Sequence, residues 1–247
     1  MSRKEIQARR RRQKLVSRLW ALGLVTLGAL LVALAFIMPL ARRSTYEPRT
    51  FSVPVNGPSL GVADAPVRVD VWEDFQCPAC AEYSRSIETR IISEYVEQGL
   101  VLYTYHFFPF LDGADYPAED GSGRLHYIYS QRGPGESDQA ANAAMCAAEQ
   151  GRFWDYHDIL YQNWNGENRG AFADSRLLLF AEDIGLDMTA FEQCFRENRY
   201  EDVIQADFIA GNERNIPGTP SVFVNDVRVP TRFEDIAAAI EAALARP

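Results

Sequence analysis

Two cysteines three positions apart are the residues of this chain that most clearly could carry out a reaction. Cys77 and Cys80 enclose Pro78 and Ala79, and a Gly218-Thr219-Pro220 segment follows far downstream. Thiol–disulfide exchange needs two sulfurs within bonding reach, one of them as a thiolate. Because residues i and i+3 are neighbours on a helix, a helix that begins at this motif would form a redox-active dithiol.

The residues around the motif predict where that helix begins. An apolar, β-branched run over residues 67–72 predicts a strand, and residues 77 to about 98 have a helical pattern. Cys77 is the predicted helix N-cap and Pro78 the first helical residue, where a missing N–H costs nothing. Unpaired amides and the helix dipole would stabilise a thiolate on Cys77, with Cys80 as the shielded resolving thiol.

A C-x-x-C motif can instead be half of a zinc site or a short structural disulfide. The remaining cysteines, Cys146 and Cys194, are singletons in separate helix-like segments, which is poor spacing for a four-cysteine zinc site. The histidines His106, His126 and His157 also lack paired-ligand spacing, and His157 is predicted as a core contact on an aromatic helix face. The sequence therefore favours redox chemistry and predicts neither a metal nor a cofactor.

The N-terminus predicts a membrane anchor. Basic residues crowd the first 18 positions, and the 22 residues from Leu19 to Leu40 are uncharged and largely apolar. A helix of that length spans about 33 Å, enough for a hydrocarbon core of about 30 Å. We expect a cytoplasmic segment over 1–18, a transmembrane anchor over 19–41 and an extracytoplasmic remainder. A cleaved signal peptide is the competing interpretation, although its apolar region is normally shorter.

Charge separates the two parts of the chain. Residues 1–43 hold ten Lys and Arg against one acid, which leaves 15 basic and 33 acidic residues for the remainder. An acidic domain argues against nucleic-acid binding and against attachment to anionic lipid, since both need a basic face. No lysine follows Lys14, so Schiff-base and P-loop chemistry are excluded there as well.

The pattern after the anchor predicts one globular domain. Four prolines in 44–66 indicate a linker over 42–62, and residues 63–247 suit a single domain. A second strand over 100–108, parallel to the first, precedes a long loop over 112–136. A helical insertion follows over about 137–210, and Ser137 or Asp138 is expected to cap its first helix. A hairpin over 221–229 and a helix from 233 close the chain.

This order of elements resembles the DsbA-like family of extracytoplasmic thiol–disulfide oxidoreductases, in particular its membrane-tethered branch. The matching motifs are residues 61–67, 74–80, 143–154 and 218–225, and the resemblance extends from about residue 60 to the end. It implies an α/β, thioredoxin-like fold with a helical insertion. It also implies that Pro220 is cis and faces the disulfide, and that Thr219 sits against Cys77 and influences release of the mixed disulfide.

Two departures from the family pattern concern the site itself. Ala79 stands where many DsbA-like proteins have a histidine that stabilises the thiolate, which implies a less oxidising couple. Val71 stands six residues before Cys77, where thioredoxins have a buried acid. Asp74, Pro78 and Ala79 are expected to support the site. In place of the missing acid, Glu73 or Asp74 would assist proton transfer, unless either is a solvated charge at the strand end.

Cys146 and Cys194 are expected to form a structural disulfide between two helices of the insertion, with two unpaired buried thiols as the alternative. A disulfide of this span would stabilise the fold by roughly 4 kcal/mol on the chain-entropy model. The exported side of a membrane permits such a bond.

The predicted function is oxidation of unfolded or reduced exported proteins through a mixed disulfide at Cys77. Exchange needs no cofactor, and the family implies reoxidation by a quinone-linked membrane partner. The same site could instead serve a disulfide isomerase or reductase. A membrane-anchored binding or chaperone module with a structural C-x-x-C is the rival from another class, and the loop 112–136 is either a substrate-selecting lid or a disordered insertion.

Overall fold

The chain divides into two compact units, residues 1–43 and 44–247. The computed structural model describes residues 20, 23–30, 32, 44–112, 118–120, 124–126 and 135–245. Residues 23–30 of the first unit are helical, while the predicted segment 1–18 and most of the predicted anchor 19–41 lie outside the described residues. Within the described part of the chain, no helix combines the length and the hydropathy that a membrane crossing requires.

The second unit is organised around a six-stranded mixed sheet. Its strands are β1 (Val55–Asn56), β2 (Ser59–Leu60), β3 (Val67–Glu73), β4 (Val101–Phe107), β7 (Ser221–Val224) and β8 (Val227–Val229). They lie side by side in the order β1-β2-β4-β3-β7-β8. β3 and β4 are parallel, as predicted, and β7 runs antiparallel to β3. The central strands β3, β4 and β7 are largely buried, because helices cover both faces of a parallel sheet core.

Helix α1 spans residues 78–96 directly after β3 and alternates between two kinds of turn. It comprises the α-helical segments Pro78–Tyr83 and Thr89–Ile91 and the π-helical turns Ser84–Glu88 and Ile92–Val96. π-turns inside α-helices occur frequently at functional sites. The first of them places Glu88, a charged residue, in the core.

The helical insertion follows the sequence prediction closely. Its helices are α2 (Glu136–Ala148), α3 (Phe153–Gln162), α4 (Asp174–Asp183), α5 (Met188–Arg196) and α6 (Glu201–Glu213), and α7 (Phe233–Leu244) closes the domain. The predicted hairpin is confirmed: β7 and β8 join through Asn225 and Asp226, which both have positive φ, as a tight hairpin turn requires. The predicted loop 112–136 contains two short antiparallel strands, β5 (Ala118–Asp120) and β6 (Arg124–His126).

Residues 44–62, predicted as linker, belong to the folded unit. β2 pairs with β4, and the extended residues 44–49, here called the strap, lie against α3 and α4. The contacts of the strap are, in chain order, Ser44 N to Asp183, Thr45 N to Asn163, the Tyr46 hydroxyl to Asp155, Glu47 N to Gln162, and Arg49 to Asp158 and Glu88. Prolines prevent regular helix here, but they do not prevent contacts with distant side chains.

The cap of α2 also differs from the prediction. Gly135 occupies the N-cap position and has no side chain to accept a hydrogen bond. The carboxylate of Asp112 takes that role from the loop after β4, accepting from the amides of Ser137 at 2.8 Å and Asp138 at 2.6 Å. A capping carboxylate supplied by another segment satisfies the same unpaired amides as a local cap, and it also joins α2 to the sheet.

His106 fastens the insertion to the sheet. Its ring on β4 lies between Asp70 of β3 and Asp207 of α6, with both nitrogen–oxygen distances 3.0 Å. Asp207 also accepts from the Phe107 amide, and its carbonyl accepts from the Trp72 indole. α6 precedes the Gly218–Pro220 segment, so this clamp helps to set the position of that segment.

Replacing His106 with glutamine should remove a pH-dependent part of the stability. Burial opposes the charged ring, but hydrogen bonds and the charges of Asp207 and Asp70 raise the pKa of His106 to about 9. A histidine whose pKa is higher in the folded state than in the unfolded state stabilises the fold. This contribution to the free energy of unfolding is complete below the unfolded-state pKa of about 6.5, and it is lost as the pH rises through the folded-state pKa. We expect the gap in unfolding free energy between wild type and variant to shrink by about 2–3 kcal/mol from pH 6 to pH 10.

Urea unfolding at several pH values measures that gap. A constant gap over this pH range would contradict a charged His106 clamp.

Candidate active site

Cys77 and Cys80 lie where β3 passes into α1. Cys77 is the helix N-cap, with an extended backbone, and Pro78 is the first helical residue, as predicted. The Cys77 amide donates to the Asp74 carbonyl at 3.0 Å, and the Ala81 amide donates to the Cys77 carbonyl at 3.1 Å. Both cysteines are free thiols, and Cys77 retains 6% of its surface while Cys80 retains none.

The two thiols have opposite tendencies to ionise. The pKa of Cys77 falls to about 6, and the largest cause is a hydrogen bond from the Cys80 thiol. The Thr219 side chain and nearby amides lower this pKa further, whereas burial raises it. Burial raises the pKa of Cys80 well above its ordinary value, and its role as donor to Cys77 raises it further. At neutral pH the reduced site therefore holds one thiolate and one thiol.

The downstream Gly218–Pro220 segment lies against the dithiol. The Thr219–Pro220 peptide bond is cis, and the Cys77 Sγ atom lies 3.4 Å from the Thr219 carbonyl oxygen, to which Cys77 donates when it is protonated. The Thr219 hydroxyl is buried and has no conventional hydrogen-bond partner in the described parts of the chain. This hydroxyl is consequently available to the sulfur when the sulfur is a thiolate.

Asp74 is a buried junction below the cysteines rather than a solvated charge. Its carboxyl accepts from the Gln76 amide at 2.8 Å, the Ser137 hydroxyl at 2.6 Å and the Leu111 amide at 3.0 Å. Burial is the main cause that raises the pKa of Asp74 to about 8, and the charge of Asp112 adds to it. Asp74 thereby links the strand end to α2 and to the loop after β4.

Gln76, the residue before Cys77, is a functional position that the sequence analysis missed. Its side chain is fully buried and donates to Asp112 and Ser137, while it accepts from the Asn168 amide at 2.6 Å. Its carbonyl accepts from the Trp164 indole at 2.7 Å. These bonds fix the peptide that carries Cys77 against three separate segments, and a lone glutamine at a strand end gives no periodic signal that could reveal them.

Glu73 is also buried, so the interpretation of Glu73 or Asp74 as a solvated strand-end charge is wrong. Glu73 retains 1% of its surface, and one carboxyl oxygen accepts from the Tyr161 hydroxyl at 3.1 Å. The other oxygen has no hydrogen-bond partner among the residues described. Burial, followed by the charge of Glu88, raises the pKa of Glu73 well above its ordinary value, and the charge of Glu73 contributes to the raised pKa of Cys80.

A cluster of charges lies behind α1, where this helix packs against α3. Glu88 of α1 faces His157 of α3 at 3.3 Å, and His157 contacts Asp158 at 2.9 Å. The potential ligand atoms of these three residues lie within 4.8 Å of one another, a spacing that suits a metal ion. Arg49 of the strap pairs with both Glu88 and Asp158, so a guanidinium already supplies the positive charge.

Cys146 and Cys194 form a disulfide between α2 and α5, with the Cα atoms 5.8 Å apart. Both residues are buried in the core of the insertion. The bond lies among helices that support the site, and it takes no part in the dithiol chemistry described above.

The chain belongs to the thioredoxin family, which matches residues 54–119 and 118–242. The predicted resemblance to DsbA-like thiol–disulfide oxidoreductases is confirmed. Probable disulfide bond formation protein D of Bacillus anthracis is 25% identical over 185 residues, which cover 74% of this chain and 76% of that protein.

A second relative is much longer than the matching region. Na(+)/H(+) antiporter NhaA 3 of Salinispora tropica is 29% identical over 187 residues, 75% of this chain and 24% of the antiporter. The chain thus spans about a quarter of that relative.

Solved structures support the fold. Oxidised BdbD from Bacillus subtilis superposes with a TM-score of 0.63 at 19% identity, covering 83% of this chain and 100% of that one. DsbA from Chlamydia trachomatis superposes with a TM-score of 0.57 at 19% identity, covering 80% and 96%. The thioredoxin-like fold with a helical insertion is therefore confirmed.

Proposed function

We propose that the Cys77–Cys80 couple introduces disulfides into exported proteins by thiol–disulfide exchange. The observation that carries this proposal is the opposite ionisation of the two thiols. A lowered pKa of Cys77, about 6, stabilises the reduced form, and each unit of lowering favours it by about 1.4 kcal/mol. A couple whose reduced form is stabilised is a stronger oxidant.

The reaction proceeds in two exchanges. A substrate thiolate attacks the Cys77 sulfur of the oxidised couple, the Cys77–Cys80 bond breaks, and Cys80 leaves with the electron pair and takes up a proton. The second substrate thiolate then attacks the substrate sulfur of the mixed disulfide, and Cys77 leaves as a thiolate. The substrate loses two electrons and two protons; the couple gains both electrons, Cys80 keeps one proton and solvent receives the other.

The Thr219–Pro220 segment is proposed as the docking edge for the substrate. Its support is the contact between the Thr219 carbonyl and the Cys77 sulfur, which places this backbone beside the reacting atom. The buried Thr219 hydroxyl would donate to Cys77 as the thiolate leaves, which would favour release of the product. Pro78 and Ala79 complete the surface around Cys77 without adding a titratable group.

We further propose that the domain works outside the cytoplasm, held there by the apolar segment 19–41. The basic residues before that segment and the Cys146–Cys194 disulfide support this location. An anchor would raise the local concentration of the domain near emerging substrates and near a quinone-linked membrane partner that reoxidises the couple. The exchange itself requires no bound cofactor.

The redox potential of the full-length protein in glutathione buffers tests this function. A potential well above about −200 mV, together with oxidation of a reduced, unfolded substrate protein, is expected of an oxidase. A potential near −270 mV would instead assign the chain to reduction or isomerisation. Retention of all activity after Cys77→Ser would favour a binding or chaperone module.

A further inference from the structure

We propose that Arg49 is a positioning residue for the dithiol: its guanidinium balances the buried charges behind α1 and thereby sets the oxidising power of the Cys77–Cys80 couple. This inference rests on the proposed function and adds to it a residue that precedes the first strand of the sheet. Arg49 touches neither cysteine, so its effect is electrostatic.

The strap holds Arg49 in a fixed, largely buried place. The Nη2 atom lies 3.0 Å from a Glu88 oxygen, and the Nε atom lies 2.6 Å from an Asp158 oxygen. The guanidinium carbon is 5.4 Å from the centre of the Phe51 ring and 6.0 Å from the Trp154 ring, so two aromatic faces also hold it. The side chain retains only 24% of its exposure.

The cluster that Arg49 completes is balanced in charge. Burial opposes the ionised form of Glu88, but the charges of His157 and Arg49 outweigh it and lower the pKa of Glu88. Burial likewise opposes a charged His157, but Glu88 and Asp158 raise the pKa of His157 to about 9. Arg49 and His157 thus face the carboxyl groups of Glu88 and Asp158, and removal of Arg49 would leave the buried acidic side without one of its two cations.

Glu73 connects this cluster to the cysteines. The His157 ring centre lies 4.9 Å from that of Tyr161, whose hydroxyl donates to Glu73 at 3.1 Å, and 5.9 Å from the ring centre of Phe75, two residues before Cys77. The charge of Glu88 raises the pKa of Glu73 and the charge of His157 lowers it, while the charge of Glu73 raises the pKa of Cys80. The hydroxyls of Tyr83, Tyr103, Tyr105 and Tyr161 also face this region, and burial raises their pKa values, so they stay neutral. Little solvent lies between the cluster and the sulfurs to screen an added negative charge, which would disfavour the Cys77 thiolate.

The direct test is Arg49→Met in the full-length protein, compared with Arg85→Met. Arg85 lies on α1 and lines the same surface pocket of about 530 Å³ as Arg49, but its side chain is 53% exposed and pairs with the exposed Glu82. The thiolate absorbance of Cys77 against pH and the equilibrium with glutathione are measured for both variants. We expect Arg49→Met to raise the Cys77 midpoint by about 0.5–1 unit and to shift the redox equilibrium about three- to tenfold towards the disulfide.

The exposed control should change little, because solvent screens its charge. Arg49→Lys, which keeps the charge, should restore most of the wild-type midpoint. A Cys77 midpoint that moves no further in Arg49→Met than in Arg85→Met would overturn the proposal.

Variants of Glu88 keep the proposal testable if Arg49→Met folds poorly. Glu88→Gln removes a negative charge and should lower the Cys77 midpoint, whereas Arg49→Met with Glu88→Gln removes one charge of each sign and should return it to within about 0.2 unit of wild type. If Arg49 and Glu88 had a purely structural role, Arg49→Met and Glu88→Gln would shift the Cys77 midpoint in the same direction. That result would refute the inference. If the thiol titrations of the variants are unchanged while substrate oxidation is normal, only this inference fails. If the titrations shift as expected but the wild-type protein does not oxidise substrates, only the proposed function fails.

Discussion

A protein with Cys80 replaced by serine should accumulate stable mixed disulfides through Cys77. Cys77 would still attack a substrate disulfide as a thiolate, but no second thiol would remain on the enzyme to release the substrate. Cys77 is the thiol with the lowered pKa and some exposed surface, whereas Cys80 is fully buried. Incubation with a disulfide-bonded peptide, followed by non-reducing electrophoresis or intact mass measurement, detects the adduct.

Cys77→Ser is the matched variant and should behave oppositely. It should form no adduct, and its rate of substrate oxidation should fall to the uncatalysed level, because a hydroxyl cannot form the mixed disulfide. Both variants should remain folded, and Cys77→Ser alone should lose the stability that the favoured thiolate gives the reduced wild type at neutral pH. Equal adduct formation by the two variants would show that the roles of the cysteines are not divided in this way.

Replacing both Cys146 and Cys194 with alanine should cost about 4 kcal/mol in the free energy of unfolding. The bond joins residues 48 positions apart in the sequence, so its loss frees a long stretch of the unfolded chain. The two thiols also lie in separate helices of the insertion, and their removal leaves small cavities. Urea unfolding measures the loss against wild type under non-reducing conditions.

The pKa of Cys77 is the control for that variant. It should remain near its wild-type value, because the pair lies apart from the contacts that stabilise the thiolate. A change in stability below about 1 kcal/mol would contradict the chain-entropy account of this bond.

The elements that the sequence predicted well depend on short-range patterns. The strand before Cys77, the helix beginning at Pro78 and the hairpin at Asn225 and Asp226 all follow from residues within a few positions of each other. The adjacency of Cys77 and Thr219 could not follow from spacing. Only the resemblance to a family indicated it.

The contacts that the sequence could not reveal are all long-range. Asp112 caps α2 from a different loop, and Gln76 bonds to segments up to 92 positions away. The prolines around Arg49 predict a linker, yet the charge of Arg49 is paired inside the folded unit. Each of these residues is polar and isolated in the sequence, so burial of its side chain becomes visible only when the partner segments are brought together.

The hydrogen bonds of Gln76 limit how the insertion can be exchanged. A chimera that grafts the helices of another thioredoxin-fold protein onto this sheet would also have to supply the Asn168 amide and the Trp164 indole. Without those two donors, the peptide that presents the reactive sulfur would lose its lateral supports while the grafted helices could still pack well. The insertion is thus not a modular cassette, because part of the scaffold of the reaction centre is built from it.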